Sequence, residues 1–456
     1  MRIKSLSLLL ASLFPVFTYA ADIEVARYVV GFPGGERVAY QGAFAKHLPQ
    51  GLPVGIGSGL SFNRKQGDDL VLTTLTDRGP NADAPAVGKQ EAKIFANPQF
   101  TPLLMDIRIG GGGGGKAVAE NARPLHDEKG PISGLPLPSE LIGSTNEVAL
   151  NDALQPLSGD RRGLDTEGII GDGNGGYWLC DEYGPFLIHV DDKGKILAKY
   201  GPTPQAGEQA VASGLPNILK WRQPNRGFEG LTRMPDGRIL AAVQSTLDVD
   251  GKSKNKAQFT RLVSFDPRSG KTAMYGYPID IDRYKKAKDA KIGDVVALDN
   301  QRILLIEQGT GKDKTMINKI YLVDLAQASD LSTFDGQGKA LEFDDAQDLA
   351  KRGVKLAQKR EVADLRQLGW RQEKAEGLAL IDDRTLAVIN DNDFGLQAKL
   401  VDASPKSKKI GDYQLEKEGR LSLDGDKTDA RIELRPLEQP ESLSELWVLT
   451  LPQPLK

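Results

Sequence analysis

Three glutamates, each followed by glycine at the head of a short apolar run, are the residues whose type and spacing best suit joint chemistry: Glu167-Gly-Ile-Ile, Glu229-Gly-Leu-Thr and Glu376-Gly-Leu-Ala. Each run passes through a turn into a second apolar run that closes in acidic or amide side chains, at Asp181-Glu182, at Gln244 and at Asn390-Asp391-Asn-Asp393. A weaker copy runs from Asp294 to Glu307, and a degenerate first copy runs from Ser58-Gly to Asp77-Arg78. The separations are 14 (167 to 181), 15 (229 to 244), 13 (294 to 307) and 14 (376 to 390). If the copies are equivalent, carboxylates and amides gather about one axis, where like charges raise each other's pKa unless a cation offsets them. Donor sets made only of oxygen suit Ca²⁺ better than Zn²⁺. Glu167, Glu229, Glu376 and Asp391 are therefore the candidate metal ligands. Asp77 and Asp181 are candidates to take a proton from water, and Glu182 and Asn390 to contact substrate. Arg78 has a planar guanidinium suited to an anionic group; a salt bridge to a channel acid is the rival reading.

The elements that must position these residues are strands. The runs are four to eight residues long, rich in Val, Ile, Leu and Thr, and separated by Asp-Gly, Asn-Gly and Asp-Asp turns, which is hairpin chemistry. A third strand ending in Asp follows three copies, at Phe186–Asp191, Arg261–Asp266 and Lys319–Asp324, and a fourth follows two of them. Recurrence of four antiparallel strands predicts an all-β fold, a β-propeller of five or six four-stranded blades. Pairing Glu445–Leu451 with the strand near residues 22–30 would close the ring and remove two sheet edges. One inserted helix is expected over about Asp344 to Leu368, where acidic residues give way to basic ones in the sense that suits the helix dipole. Insertions are expected at about 81–160, 344–370 and 398–443 within one domain, 21–456.

Composition is that of a soluble globular chain, with 39 % hydrophobic and 27 % charged residues, and the 50 glycines and 26 prolines agree with many turns. Residues 1–20 read as a secretory signal peptide: Arg2 and Lys4 precede an apolar run, and Thr18-Tyr-Ala20 offers a cleavage site after Ala20. Its removal takes two positive charges and no acid, so the formal charge of −3 becomes −5. A periplasmic or secreted monomer is expected, with no membrane span and no basic footprint for nucleic acid. Cys180 is the single cysteine, so no intrachain disulfide forms, and its apolar strand predicts an inert buried thiol. Gly110–Lys116 mimics a phosphate loop, but Ala117 replaces the hydroxyl that would hold Mg²⁺. Ser58 lacks the first glycine of a nucleophile elbow. His47, His126 and His189 are scattered, and the Asp248 and Asp424 turns lack the twelfth-position glutamate of a calcium loop.

The segments Asp165-Thr-Glu-Gly-Ile, Asp181-Glu-Tyr-Gly-Pro-Phe-Leu, Asn225-Arg-Gly-Phe-Glu-Gly-Leu-Thr, Ala375-Glu-Gly-Leu-Ala-Leu and Thr76-Asp-Arg-Gly-Pro together resemble the phytase-like family, the "esterase-like activity of phytase" group. The resemblance spans roughly Gly55 to Asp393 and the last strand. It implies an exported bacterial β-propeller that depends on metal and hydrolyses ester or phosphoester bonds. More distantly, the chain resembles calcium-dependent propeller hydrolases of the gluconolactonase type. The signature runs of the calcium-rich phytases are missing, which argues against phytate as substrate. The expected function is a Ca²⁺-assisted hydrolase of small anionic esters or phosphoesters at the channel mouth. The alternative is a non-catalytic, ligand-binding propeller with a structural metal.

Overall fold

The computed structural model describes residues 23–455 apart from 36, 112–114 and 203–210, so the expected signal peptide lies outside the described residues. Among the described residues, the four-strand plan occurs five times, the first and fifth copies being joined in one eight-stranded sheet where Val30 and Gly31 pair with Ala117 and Val118. The first blade is Leu60–Gln66, Asp69–Leu75, Leu103–Ile109 and Ala117–Pro124, and the second is Thr166–Gly171, Tyr177–Asp181, Phe186–Val190 and Ile196–Gly201. The third is Phe228–Arg233, Ile239–Val243, Phe259–Phe265 and Thr272–Pro278. The fourth is Lys291–Ala297, Arg302–Thr310, Met316–Asp324 and Gln358–Asp364. The fifth takes Gly377–Leu380 and Thr385–Ile389, then Glu445–Thr450, and ends on Glu24–Gly31. Its last two strands pair antiparallel from Glu24↔Thr450 to Val29↔Glu445, so strands from opposite ends of the sequence share one blade.

The core lies in the seams between blades, which explains why so many strands are apolar on both faces. Ile303 and Leu305 pack with Leu240 and Ala242 of the third blade, whereas Leu304 and Ile306 pack with Leu378, Val388 and Trp447 of the fifth. Strand side chains alternate between faces, so one run feeds two seams. Each fully buried Leu or Ile there contributes about 1.5–3 kcal/mol. Cys180 sits in the seam between second and third blades, fully buried, with burial pushing its thiol well above the ordinary value.

Two expectations change in extent. The helix is short, Ala346–Lys351, capped by the Asp345 carboxylate, which accepts from the Gln347 and Asp348 N–H groups at 2.9 Å. Gly353, at φ +76°, turns the chain away, and the basic residues beyond belong to Gln358–Asp364, the outer strand of the fourth blade. The charge gradient read as a helix dipole is split between a helix and a strand. Likewise, the 81–160 stretch contains the outer two strands of the first blade. Its hairpin Asn81–Val87/Gln90–Phe95 does leave the blade, joining Val148–Leu150 and Tyr413–Leu415 in a six-stranded sheet with its own core of Leu52, Ile94, Leu150, Tyr413 and Leu434. That sheet begins at Asn81, four residues after Asp77, and the chain after Asp391 enters Leu396–Val401, which pairs with Arg431–Pro436.

Candidate functional site

The innermost strands meet backbone to backbone, and the glycines permit it. A Cβ on Gly59 would lie 2.8 Å from the Gly168 Cα, one on Gly168 3.0 Å from the Leu231 nitrogen, and one on Gly230 2.6 Å from the Asp294 Cα. A Cβ on Gly377 would lie 3.2 Å from the Gly59 carbonyl carbon, so the succession returns to the first blade. The glycine after each glutamate is thus a close-approach residue rather than turn punctuation. Two of the glutamates before them are aimed by bulges. Pairing passes from Thr166↔Asp181 to Gly168↔Cys180, and from Phe228↔Val243 to Gly230↔Ala242, which leaves Glu167 and Glu229 as the extra residues. A bulge redirects the side chain it carries. In the fourth blade the order is inverted, Gly293-Asp294. Asp294 takes the glycine's place, and its carboxylate accepts the Leu378 and Val295 N–H groups at 2.7 and 2.8 Å. The acid of the weak copy is therefore a tie between innermost strands.

Glu167, Glu229 and Glu376 converge: one carboxylate oxygen from each lies within 4.8 Å of the others, and all three residues are buried. Asp77, Asp165 and Glu167 form a second such group. Two ionised carboxylates at that distance repel by on the order of 3–4 kcal/mol at an effective dielectric constant of about 20. Burial, with Asp165 and Glu229 beside it, holds Glu167 well above the usual carboxylate range; burial, with Glu182 and Glu376, does the same to Glu229. Burial pushes Glu376 up to about 7 although Lys374 opposes it, and pushes Glu182 up to about 8 with Asp165 adding to the effect. Asp77 is raised by burial, then by Asp391 and Asp165.

The amides are placed as bridges. Gln244 Nε2 donates to Glu182 Oε1 and Glu229 Oε2, both at 2.6 Å, and Gln308 Nε2 donates to Glu376 Oε1 at 3.3 Å. Gln308 takes the role expected of Glu307, whose side chain faces away from the axis and accepts from Tyr277 Oη (2.6 Å) and Tyr284 Oη (2.9 Å) and pairs with Lys359 Nζ (2.7 Å). Arg78 is engaged by acids and amides around it. Its Nε lies 3.5 Å from Asp165 Oδ2, and its other nitrogens donate to Glu147 and Asn225 at 3.3 Å and to Asn81 at 3.5 Å. Asn225 in turn donates to Glu182 Oε2 at 2.6 Å.

Three expected site residues have other uses. Asp391 meets Lys374 Nζ at 2.9 Å with Oδ2 and the Asp393 N–H at 2.9 Å with Oδ1, so an ammonium group stands where a metal ion was expected. Both Asp181 oxygens accept backbone N–H groups, from Asp165 at 2.7 Å and Gly184 at 2.9 Å, although burial raises its pKa to about 7. Asn390 is consumed by backbone: its amide donates to the Asp391 and Leu443 carbonyls, and its oxygen accepts the Glu445 N–H at 2.6 Å. It fastens the closing strand rather than lining a binding surface. Lys374 was missed. It also contacts Asp393 (2.9 Å) and Glu376 (3.5 Å), and its position two residues before Glu376 was the available signal. Asp165 was missed as a site acid, although it stands two residues before Glu167.

The donor set fits a hard cation. The buried Glu376 Oε2, Asp165 Oδ2 and Gln244 Oε1 have no hydrogen-bond partner; Lys374 Nζ and Arg78 Nε stand 3.5 Å from the first two, which leaves the Gln244 oxygen without either kind of partner, and such a group is costly unless a ligand satisfies it. All are oxygens, and they adjoin carboxylates whose pKa burial and mutual repulsion raise.

Known proteins place this geometry in context. The family described as phytase-like, with esterase-like activity of phytase, matches residues 52–394. A protein of Arthroderma benhamiae called an uncharacterized secreted protein is 33 % identical over 137 residues; the match covers 26 % of this chain and 26 % of that protein, so the chain spans about a quarter of this relative's length. Virginiamycin B lyase from Staphylococcus aureus is 9 % identical, with 94 % of this chain and 100 % of that chain covered and a TM-score of 0.29. A Dyadobacter fermentans protein of unknown function is 10 % identical, with 94 % and 99 % covered and a TM-score of 0.34. Likeness at these scores adds nothing to what the sheets themselves show.

Proposed function

The chain belongs to the phytase-like family, whose membership implies esterase-like hydrolase activity, and from that premise we propose a cation-assisted hydrolase of small anionic esters or phosphoesters at the channel mouth. The convergence of Glu167, Glu229 and Glu376 within 4.8 Å carries this reading. These three glutamates would hold the cation, with Ca²⁺ the ion their oxygen donors suit. When bound, such an ion supplies Lewis-acid polarisation of an ester or phosphoester oxygen and acidifies water. Asp77, within 4.8 Å of Glu167 and with Oδ1 held by the Gly79 N–H at 2.7 Å, would be the proton acceptor once a bound cation lowers its raised pKa. Asp181 is dropped from that role because its oxygens are committed to backbone. Arg78 receives the anionic group; its side-chain hydrogen bonds, 3.3–3.5 Å long, are weak enough to exchange for a substrate oxygen. Gln244 and Asn225 fix Glu182 and Glu229 in place.

The test is turnover of an aryl phosphate and an aryl carboxylate ester by purified protein, with and without chelator, for the natural chain and Glu229→Gln. Chelator-sensitive turnover that the substitution abolishes supports the proposal. Equal rates in both proteins overturn it. No turnover at any pH, joined to a lower melting temperature on chelation, would leave a binding propeller with a structural ion. The proposed address is the periplasm or the exterior, in keeping with the name of the Arthroderma relative.

A further inference from the structure

Ser58 occupies the place in the first blade that Glu167, Glu229 and Glu376 occupy in theirs, directly before the close-approach glycine. The neighbouring contacts fix that equivalence. Gly59 packs on the Gly168 Cα and the Glu167 carbonyl oxygen, and Gly377 packs on the Gly59 carbonyl carbon. Ser58 therefore stands between Glu167 and Glu376 in the succession of innermost strands. It is 0 % exposed, and its hydroxyl has no hydrogen-bond partner. A buried hydroxyl left unpaired costs about 1–3 kcal/mol, and nothing in the strand requires one, since its backbone is already engaged: Thr74 Oγ1 donates to the Gly59 carbonyl at 2.8 Å. Glu376, directly before the adjoining innermost strand, has an Oε2 with no hydrogen bond and only the Lys374 ammonium, 3.5 Å away, as ionic partner. An unpaired hydroxyl, on the strand that stands between those of two converging carboxylates, calls for an electron-poor partner.

We propose that Ser58 is the neutral oxygen ligand that completes the axial cation site. The inference rests on the cation reading above and adds to it a residue that is neither nucleophile nor base. A hydroxyl in place of a fourth carboxylate lowers the charge of the site, which leaves the bound ion more electrophilic toward an ester oxygen. Its test is calcium titration of the chelated full-length chain by calorimetry. Ser58→Ala is expected to weaken Ca²⁺ binding about tenfold, with the melting temperature of the chelated protein unchanged or raised. Ser58→Cys is expected to lose Ca²⁺ affinity and gain about tenfold in Cd²⁺ affinity over the natural chain, because a thiolate prefers the softer ion. If Ser58→Ala binds Ca²⁺ as the natural chain does while Glu229→Gln does not, Ser58 is no ligand and the cation site stands. Unchanged Ca²⁺ affinity with lost turnover would make the hydroxyl a nucleophile and also overturn the proposal. If Glu229→Gln and the natural chain bind alike, the cation reading falls and this inference falls with it.

Discussion

Glu229 and Glu307 are both buried carboxylates next to innermost-strand residues of adjacent blades, and they have opposite surroundings. Around Glu307 two phenols donate and Lys359 supplies a counter-charge, so every demand of the acid is met from within the fold. Around Glu229 the neighbours are Glu167, Glu182 and Glu376, with one amide spread across two carboxylates. Burial alone therefore does not distinguish an acid proposed to hold a ligand from a structural one. What distinguishes them is whether the protein supplies the compensating charge or leaves it to a ligand.

The sharpest way to break this contrast is to neutralise each acid. Glu229→Gln should lower chelator-sensitive turnover by at least about 100-fold, as loss of a ligand to a catalytic ion does, whereas Glu307→Gln should leave kcat within about twofold. Equal losses of activity would erase the distinction.

Next in size is the response of chelated protein to pH. Glu376 and Glu182 have folded-state values of about 7 and about 8, above the ordinary 4.5. The folded chain keeps protons there that the unfolded chain releases, so unfolding gains on folding as pH rises. The stability they confer is complete below about pH 4.5 and lost as pH climbs through 7 to 8, about 3 kcal/mol from Glu376 alone. Denaturant titrations of chelated protein at pH 5 and pH 8 should show that fall, and saturating Ca²⁺ should abolish it. A flat profile without metal would contradict the crowding.

Glu307→Gln should then cost about 2–3 kcal/mol of unfolding free energy, since it disturbs the hydrogen bonds from Tyr277 and Tyr284 and leaves Lys359 only Asp280, at 3.4 Å, as ionic partner. The smallest effect tests how the glutamates are positioned. Gly230→Ala forces a carbon to 2.6 Å from the Asp294 Cα and should destabilise by about 1–3 kcal/mol, with a lower Ca²⁺ affinity. An unchanged melting temperature would mean the strands have room to part.

The axial glutamates were legible in the sequence because repetition supplied the missing dimension: three Glu-Gly pairs at like positions fixed one another. Where repetition faltered, so did the reading. Asp294 looked like a fourth opening acid, but one inverted dipeptide put it at the glycine level, where it ties two strands. Glu307 and Gln308 differ by one position, and in a strand one position is the opposite face. Asn390 and Asp391 sit at a strand end as expected, but a backbone carbonyl and a lysine from another segment claimed them, and spacing alone does not report such partners. The helix was overdrawn because its charge gradient continued across a glycine that reverses the chain. The hairpins and the closing strand pair were readable for the reason the seams exist, since runs apolar on both faces must be sandwiched.

The pairing of Glu24–Gly31 with Glu445–Thr450 has a consequence for biogenesis. During synthesis Glu24–Gly31 lacks its long antiparallel partner until Glu445–Thr450 has been made, with only Val30 and Gly31 able to pair earlier, against Ala117 and Val118, and the fifth blade is assembled from segments more than 400 residues apart. Contacts so distant in sequence form late and slowly, and until they form the nascent molecule is an open arc with bare edges at both tips. Completion of the last blade, rather than of any earlier one, is the step that commits the newborn polypeptide to its native shape.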